Sequence, residues 1–228
     1  MRKKIFAIFL CTSFLVGCSS TDVIKLENTS SQSQSMQELT NKVTCKVIGT
    51  YDETKVNATV KKLEDRAKVY SATAKITANK EDSTITIELP DIKTNEKVQS
   101  IVQDITGVGD ITFDDENHNT LLTSDFIAEA TSTSLSNSSD TASVLDANYA
   151  ITLKFNEKGA KKFATITQDN IGKQICLSCD KTTILKATVQ SVIVDGNIVL
   201  DGFASKEEVD SIVTKLKSGT LDVKLEIA

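Results

Sequence analysis

The chain has 228 residues, 39% of them apolar and 25% charged, with one proline and no tryptophan. That is enough apolar matter for one or two small cores, and it excludes collagen-like and mucin-like chains. A net charge of −5 and a single histidine, His118, argue against a basic nucleic-acid surface and against most acid–base or metal chemistry.

Arg2, Lys3 and Lys4 precede a mostly apolar run from Ile5 to Val16. The run is too short to span about 30 Å of hydrocarbon, which takes roughly 20 helical residues. It fits the apolar centre of a secretory signal. It ends in Leu15-Val16-Gly17-Cys18, which resembles the lipobox of bacterial lipoproteins. That resemblance implies cleavage before Cys18 and diacylglycerol on its sulfur. The alternative is an ordinary signal peptide that contains a cysteine. The expected organisation is a signal peptide over 1–17 and a tether over 18–40, because Ser19 to Thr40 is rich in Ser, Thr, Gln and Asn. No later segment reaches transmembrane length. The body is therefore expected on the extracytoplasmic face of the cell membrane, held by lipid rather than by a basic patch.

Val43, Cys45 and Val47 alternate with polar or outward positions, as in a strand. Val56, Val60, Leu63, Ala67 and Tyr70 then recur at helical spacing. Ala72 to Ala78 is a possible strand, and Lys80 to Ser83 reads as a turn. Ile85, Ile87 and Leu89 mark a clearer strand, stopped by Pro90-Asp91. Val98, Ile101, Val102 and Ile105 form a second helical face, ended by Gly107 and Gly109. Asp110 to Phe113 reads as a last short strand. The order βαββαβ over 41–115 is a ferredoxin-like pattern.

The remainder, 116–228, reads as a second α+β unit. Thr131 to Asn148 is Ser/Thr/Asn-rich and is expected to be a mobile loop (131–148). Tyr149, Ile151, Leu153 and Phe155 alternate along a strand. A helix capped by Asn156 presents Ala160, Phe163, Ala164 and Thr167 on one face. Ile175 to Asp180 and Ile184 to Val194 are strand-like. Ser205-Lys206-Glu207-Glu208 is a capping box. It opens a helix bearing Val209, Ile212, Val213 and Leu216, which stops at Gly219, and Leu221 to Ile227 closes as a strand. The fold class is α+β, a ferredoxin-like βαββαβ base followed by a second α+β subdomain.

Enzyme motifs are lacking: there is no Gly-x-Ser-x-Gly, HExxH or phosphate loop. Asp114-Asp115-Glu116 lacks EF-hand spacing and reads as a solvated turn. Cys176-Leu-Ser-Cys179 has CxxC spacing, but residues three apart on a strand face opposite sides. Structural cysteines are expected there. A redox pair, or a zinc site completed by Cys45 or His118, is the alternative. No cofactor and no metal are predicted.

The segment Tyr149-Ala-Ile-Thr-Leu-Lys-Phe-Asn-Glu-Lys-Gly-Ala-Lys-Lys-Phe-Ala164 resembles the large extracytoplasmic domain of the SecD family, in which a similar strand runs into N-E-E-G-A-K-K-F-A. Asn170-Ile-Gly-Lys-Gln-Ile175, Gly202-Phe203 before the capped helix, Leu216-Lys-Ser-Gly-Thr-Leu221 and Leu225-Glu226-Ile227 are similar too, as are Arg66 and Glu88-Leu89-Pro90. The resemblance implies a ferredoxin-like base near 41–115 and a head near 116–228. It also implies an accessory role in protein export, with the Sec translocon or exported polypeptides as partners. The family's membrane helices, with their proton-conducting carboxylates, find no match here. Its I-S-A-P is replaced by Ile184-Leu185-Lys186-Ala187, and its paired glycine by Asp201-Gly202. These loops would face polypeptide, so Lys186, Asp201, Gly202 and Phe203 are the candidate binding residues and Cys18 the lipidation residue. The competing reading is a SecD-derived fold repurposed as a surface structural or ligand-binding lipoprotein. Gly159 reads as a close-packing position, Phe163 as core, Gly172 as a helix stop, and Lys161 and Lys162 as a solvated face.

Overall fold

A computed structural model describes residues 41–135 and 148–228. Strand β1 (Lys42–Ile48) turns Cys45 and Val47 inward and Lys46 and Ile48 outward. Helix α1 (Glu53–Ala67) begins where Asp52 Oδ1 accepts from the N–H groups of Thr54 and Lys55, at 3.0 and 3.2 Å. This satisfies donors that the first turn leaves free. The helix buries Val56, Leu63 and Ala67, as its spacing predicts, and also Thr59 and Arg66. Strands β2 (Lys75–Asn79) and β3 (Thr84–Glu88) form a hairpin, and α2 (Asn95–Thr106), capped by Thr94, buries Val98, Ile101, Val102 and Ile105.

The chain then runs through β4 (Ile111–Asp114), β5 (Thr120–Thr123), a 3-10 turn at Ser124–Phe126 and β6 (Ile127–Leu135). It continues in β7 (Asn148–Phe155), α3 (Glu157–Asp169), β8 (Gln174–Cys179), β9 (Thr182–Thr188), β10 (Asn197–Phe203), α4 (Lys206–Ser218) and β11 (Lys224–Ile227). Asn156 caps α3 through a bond to the Gly159 N–H at 2.9 Å. Ser205 caps α4 by accepting from Glu208 N–H at 3.1 Å. Glu208 reaches back to the N–H of Ala204 at 2.9 Å, one residue before the cap.

Three antiparallel sheets result, ordered β11-β1-β3-β2, β10-β7-β6 and β5-β4-β8-β9. The first is the ferredoxin-like sheet, with one correction to the sequence reading. The expected last base strand at Asp110–Phe113 is β4, and it pairs with β5 and β8 instead. Its place beside β1 is taken by β11, with Cys45 opposite Ile227 and Val47 opposite Leu225. The head is thus inserted before the final base strand and does not simply follow the base. A second correction concerns 131–148. Thr131 to Ser134 belong to β6, opposite Thr152 to Tyr149 of β7. Residues 136–147 lie outside the described residues.

Base and head have separate apolar cores. The base core gathers Leu63, Ile85, Ile87 and Ile101 between sheet and helices. The head core gathers Phe113, Phe155 and Phe163, whose rings meet edge-on at 5.8 Å (Phe113–Phe155) and 5.5 Å (Phe113–Phe163). Edge-to-face pairs of this kind are favoured by the ring quadrupole.

Candidate functional site

In the head, β9, β10 and the loop between them enclose an apolar groove of about 240 Å³. Phe113, Phe163, Leu177, Leu185, Ile198 and Leu200 line it. Both β9 and β10 are outermost in their sheets, so each carries an edge without a partner strand among the described residues. Val199, at the mouth, is 59% exposed, and Val194 on the adjoining loop is 75% exposed. Several large apolar side chains in the open beside an apolar groove are the mark of a contact surface rather than of ordinary packing.

The residues expected to face a partner are placed unevenly. Lys186 is exposed on β9 opposite Cys176, on the strand face away from Leu185, so it flanks the groove without lining it. Asp201 is exposed where β10 shifts register. Gly202 has φ +92, and a Cβ there would stand 3.9 Å from Leu185 Cδ1. Phe203 is only 7% exposed and packs in the head core. It offers a partner little surface, and its visible work is packing. Sequence reasoning took Leu185 only as part of the replaced segment 184–187 and missed Ile198, Val199 and Leu200, although Ile198-Val-Leu200 between Gly196 and Asp201 is a strand signal. Cys18 lies outside the described residues.

The other singled-out residues have structural surroundings. Cys45, Cys176 and Cys179 are free. Burial pushes the Cys45 and Cys179 thiols up to about 11. Among the described residues no group of three metal-ligating side chains converges. Asp114 is 4% exposed and accepts from Thr112 Oγ1 at 3.1 Å, so the expected solvated turn begins one residue later. There Asp115 accepts from the N–H groups of Asn117 and Asn119, both at 2.8 Å.

A polar hub lies where base meets head. Asp104 of α2 accepts from Tyr70 Oη at 2.8 Å, Ser211 Oγ at 2.7 Å and Lys215 Nζ at 2.6 Å. Burial works to raise the Asp104 carboxyl, but Lys215 and the two hydroxyls outweigh it and hold it below its ordinary value. Burial, reinforced by Asp104, pushes the Tyr70 hydroxyl up, which keeps it a donor. Arg66 is 2% exposed. Its guanidinium donates to the carbonyls of Ile105, Gly107, Val108 and Gly219 at 2.7–3.2 Å. These oxygens lie at the C-terminal ends of α2 and α4, where helix dipoles favour a cation.

The family description "SecDF, P1 head subdomain" matches residues 109–223. The chain belongs to this family. The matched SecDF P1 head segment opens at β4 and closes before β11, which is the part of the chain inserted into the base. The SecD subunit of the protein translocase of Acidaminococcus fermentans is 27% identical over 176 residues, 77% of this chain and 39% of that protein. SecDF of Thermus thermophilus is 36% identical over 78 residues, 34% of this chain and 11% of that protein. The chain thus spans well under half the length of these curated relatives. The solved structure of a membrane component SecDF that enhances protein export superposes with a TM-score of 0.56 at 20% identity, covering 82% of this chain and 97% of that one. SecDF in a super-membrane-facing form gives 0.60 at 20% identity, covering 82% and 29%. These two likenesses show a shared fold. Among the described residues no helix is long and apolar enough to cross a membrane.

Proposed function

We propose that the protein is a non-enzymatic accessory module of protein export, which holds extended segments of translocating polypeptide against the head. The observation that carries this reading is the apolar groove between the edges of β9 and β10, neither of which has a partner strand among the described residues, with Val199 at its mouth. An unfolded chain offers apolar side chains and unpaired backbone groups together, and this groove offers counterparts to both. Membership of the SecDF P1 head family supports the export setting.

The same proposal places the module on the extracytoplasmic face of the cell membrane, anchored by lipid on Cys18. The basic start, the short apolar run and Leu15-Val16-Gly17-Cys18 support the anchor. Two or more acyl chains, at roughly 0.8 kcal/mol per buried methylene, hold a protein stably at a bilayer.

Photocrosslinking from Val199 in cells tests the binding reading. It is expected to capture a Sec-exported chain or a Sec subunit, while a probe at exposed Lys158 captures neither. Equal yields from both positions, or capture of envelope proteins unrelated to export, would overturn it. Lys186 and Asp201, where the family's loop residues are replaced, favour a second reading in which the groove serves a different extracytoplasmic ligand. Capture that persists unchanged after Sec depletion supports that reading instead.

A further inference from the structure

We infer that the outward face of the base sheet rests on anionic lipid headgroups and so sets how the protein lies on a bilayer. The inference rests on the reading that Cys18 carries a lipid anchor, and extends it. Strand registers fix which residues form this face. Cys45, Val47, Ile76, Ile85 and Ile87 point into the base core, where α1 and α2 cover them. Side chains alternate along a strand, so the intervening positions point the other way. Four lysines stand there, Lys42, Lys46, Lys75 and Lys224, against two carboxylates, Glu88 and Glu226. Threonine fills most of the positions between them, and all four lysines are exposed.

Charge sets this face apart from the rest of the molecule. The whole chain carries −5, yet here lysines outnumber carboxylates. A carboxylate on Ala228, whose N–H bonds the Thr44 carbonyl at 3.0 Å, would still leave lysines in excess. Glu88 takes Lys42 at 3.1 Å, whereas Lys46, Lys75 and Lys224 have no ion-pair partner among the described residues. An anionic surface therefore attracts this face and repels the acidic remainder. That attraction acts within a Debye length, about 8 Å at physiological salt, so the face must be brought close. The chain enters the base at Asn41, next to Lys42 and thus at the rim of the face. Only residues 19–40 separate Asn41 from Cys18, and a coil of that length spans about 25 Å. This entry point favours a bilayer over a soluble acidic partner. The lipid supplies attachment, and the lysines supply orientation.

Lysine acetylation of the full lipidated chain on vesicles, read peptide by peptide, tests it. One set of vesicles is phosphatidylcholine alone, and the other is phosphatidylcholine mixed with phosphatidylglycerol. On the mixed vesicles at low salt, Lys46, Lys75 and Lys224 are expected to react roughly five-fold more slowly than on phosphatidylcholine, and to recover in high salt. Exposed Lys61 of α1 and Lys158 of α3 are expected to react alike on both. Changing Lys75→Gln and Lys224→Gln together is expected to restore fast labelling of Lys46; both positions are exposed, so the fold is not at stake. Equal rates on the two kinds of vesicle overturn the inference, and so does equal slowing of Lys61 and Lys158. Protection by polyglutamate in solution but not by phosphatidylglycerol assigns the face to an acidic polypeptide and overturns the lipid. Protein that does not float with phosphatidylcholine vesicles overturns the anchor, and the inference with it. Protein that floats but shows equal rates overturns the inference alone.

Discussion

Gly159 sits against the carbonyl of Phe126, so close that a Cβ would stand 2.6 Å from that oxygen and 2.8 Å from the Phe126 Cβ. Within an α-helix alanine is favoured over glycine by about 1 kcal/mol. Here the backbone contact reverses that preference. Gly159→Ala is expected to destabilise the protein by about 1–3 kcal/mol, the usual range for overpacking. Urea unfolding with an unchanged m-value checks it; a stabilised variant would show that α3 shifts freely.

Arg66 donates to four carbonyls, of which those of Ile105 and Gly107 have no other side-chain donor among the described residues, while Val108's also accepts from Leu221 N–H at 2.9 Å and Gly219's from Ser218 Oγ at 3.4 Å. Arg66→Met keeps much of the stem and leaves those acceptors buried. A loss of at least about 2 kcal/mol is expected, since each orphaned buried group costs roughly 1–3 kcal/mol. Arg66→Lys restores the charge but not the planar fork, so it is expected to fall between parent and Arg66→Met in thermal unfolding.

The Asp104 carboxyl titrates below its ordinary value of 3.8 because Lys215, Ser211 and Tyr70 favour its charged form. A carboxyl with a depressed folded pKa contributes stability above its unfolded pKa and loses it as pH falls through the folded value. Lys215, Arg66, Lys97, Asp180, Glu207 and Cys179 stand around Asp104. Stability of the parent should therefore fall on acidification below pH 3.8. Asp104→Asn should show a lower plateau at neutral pH and a shallower acid limb in pH-dependent urea titrations.

Thiols of Cys45 and Cys179 stand near 11, above an ordinary thiol. At pH 8 neither is expected to react appreciably with iodoacetamide in the folded protein, whereas unfolded chains should label readily. Peptide mass spectrometry separates the cases. Rapid labelling of Cys179 at pH 8 would revive a redox reading for Cys176-Leu-Ser-Cys179.

The helices were legible in the sequence by their apolar stripes, and α3 and α4 also by their caps, Asn156 and Ser205. Sheet membership was not. A four-residue strand such as Ile111–Asp114 alternates in the same way whichever sheet receives it, and all four of its residues are buried. The Thr131–Ser134 run carries β-prone threonines, but its polarity reads as loop. It becomes a strand because β7 offers it a ladder. The groove combines residues of β4, α3, β8, β9 and β10, and no local spacing announces that convergence. Asp104 and Lys215 are 111 positions apart, so only the inserted topology brings them together. An arginine on the same stripe as Val56 and Leu63 was the one readable hint of a buried polar joint.

The pairing of β1 with β11 also sets an order of events during biogenesis. The head's ladders lie within one stretch of sequence, whereas the base sheet needs both extremes of the described chain. Contacts so distant in sequence form late, after a large loop-closure entropy has been met. As the polypeptide emerges from its exit channel, the inserted subdomain is free to mature while the ferredoxin-like sheet still waits for its fourth member.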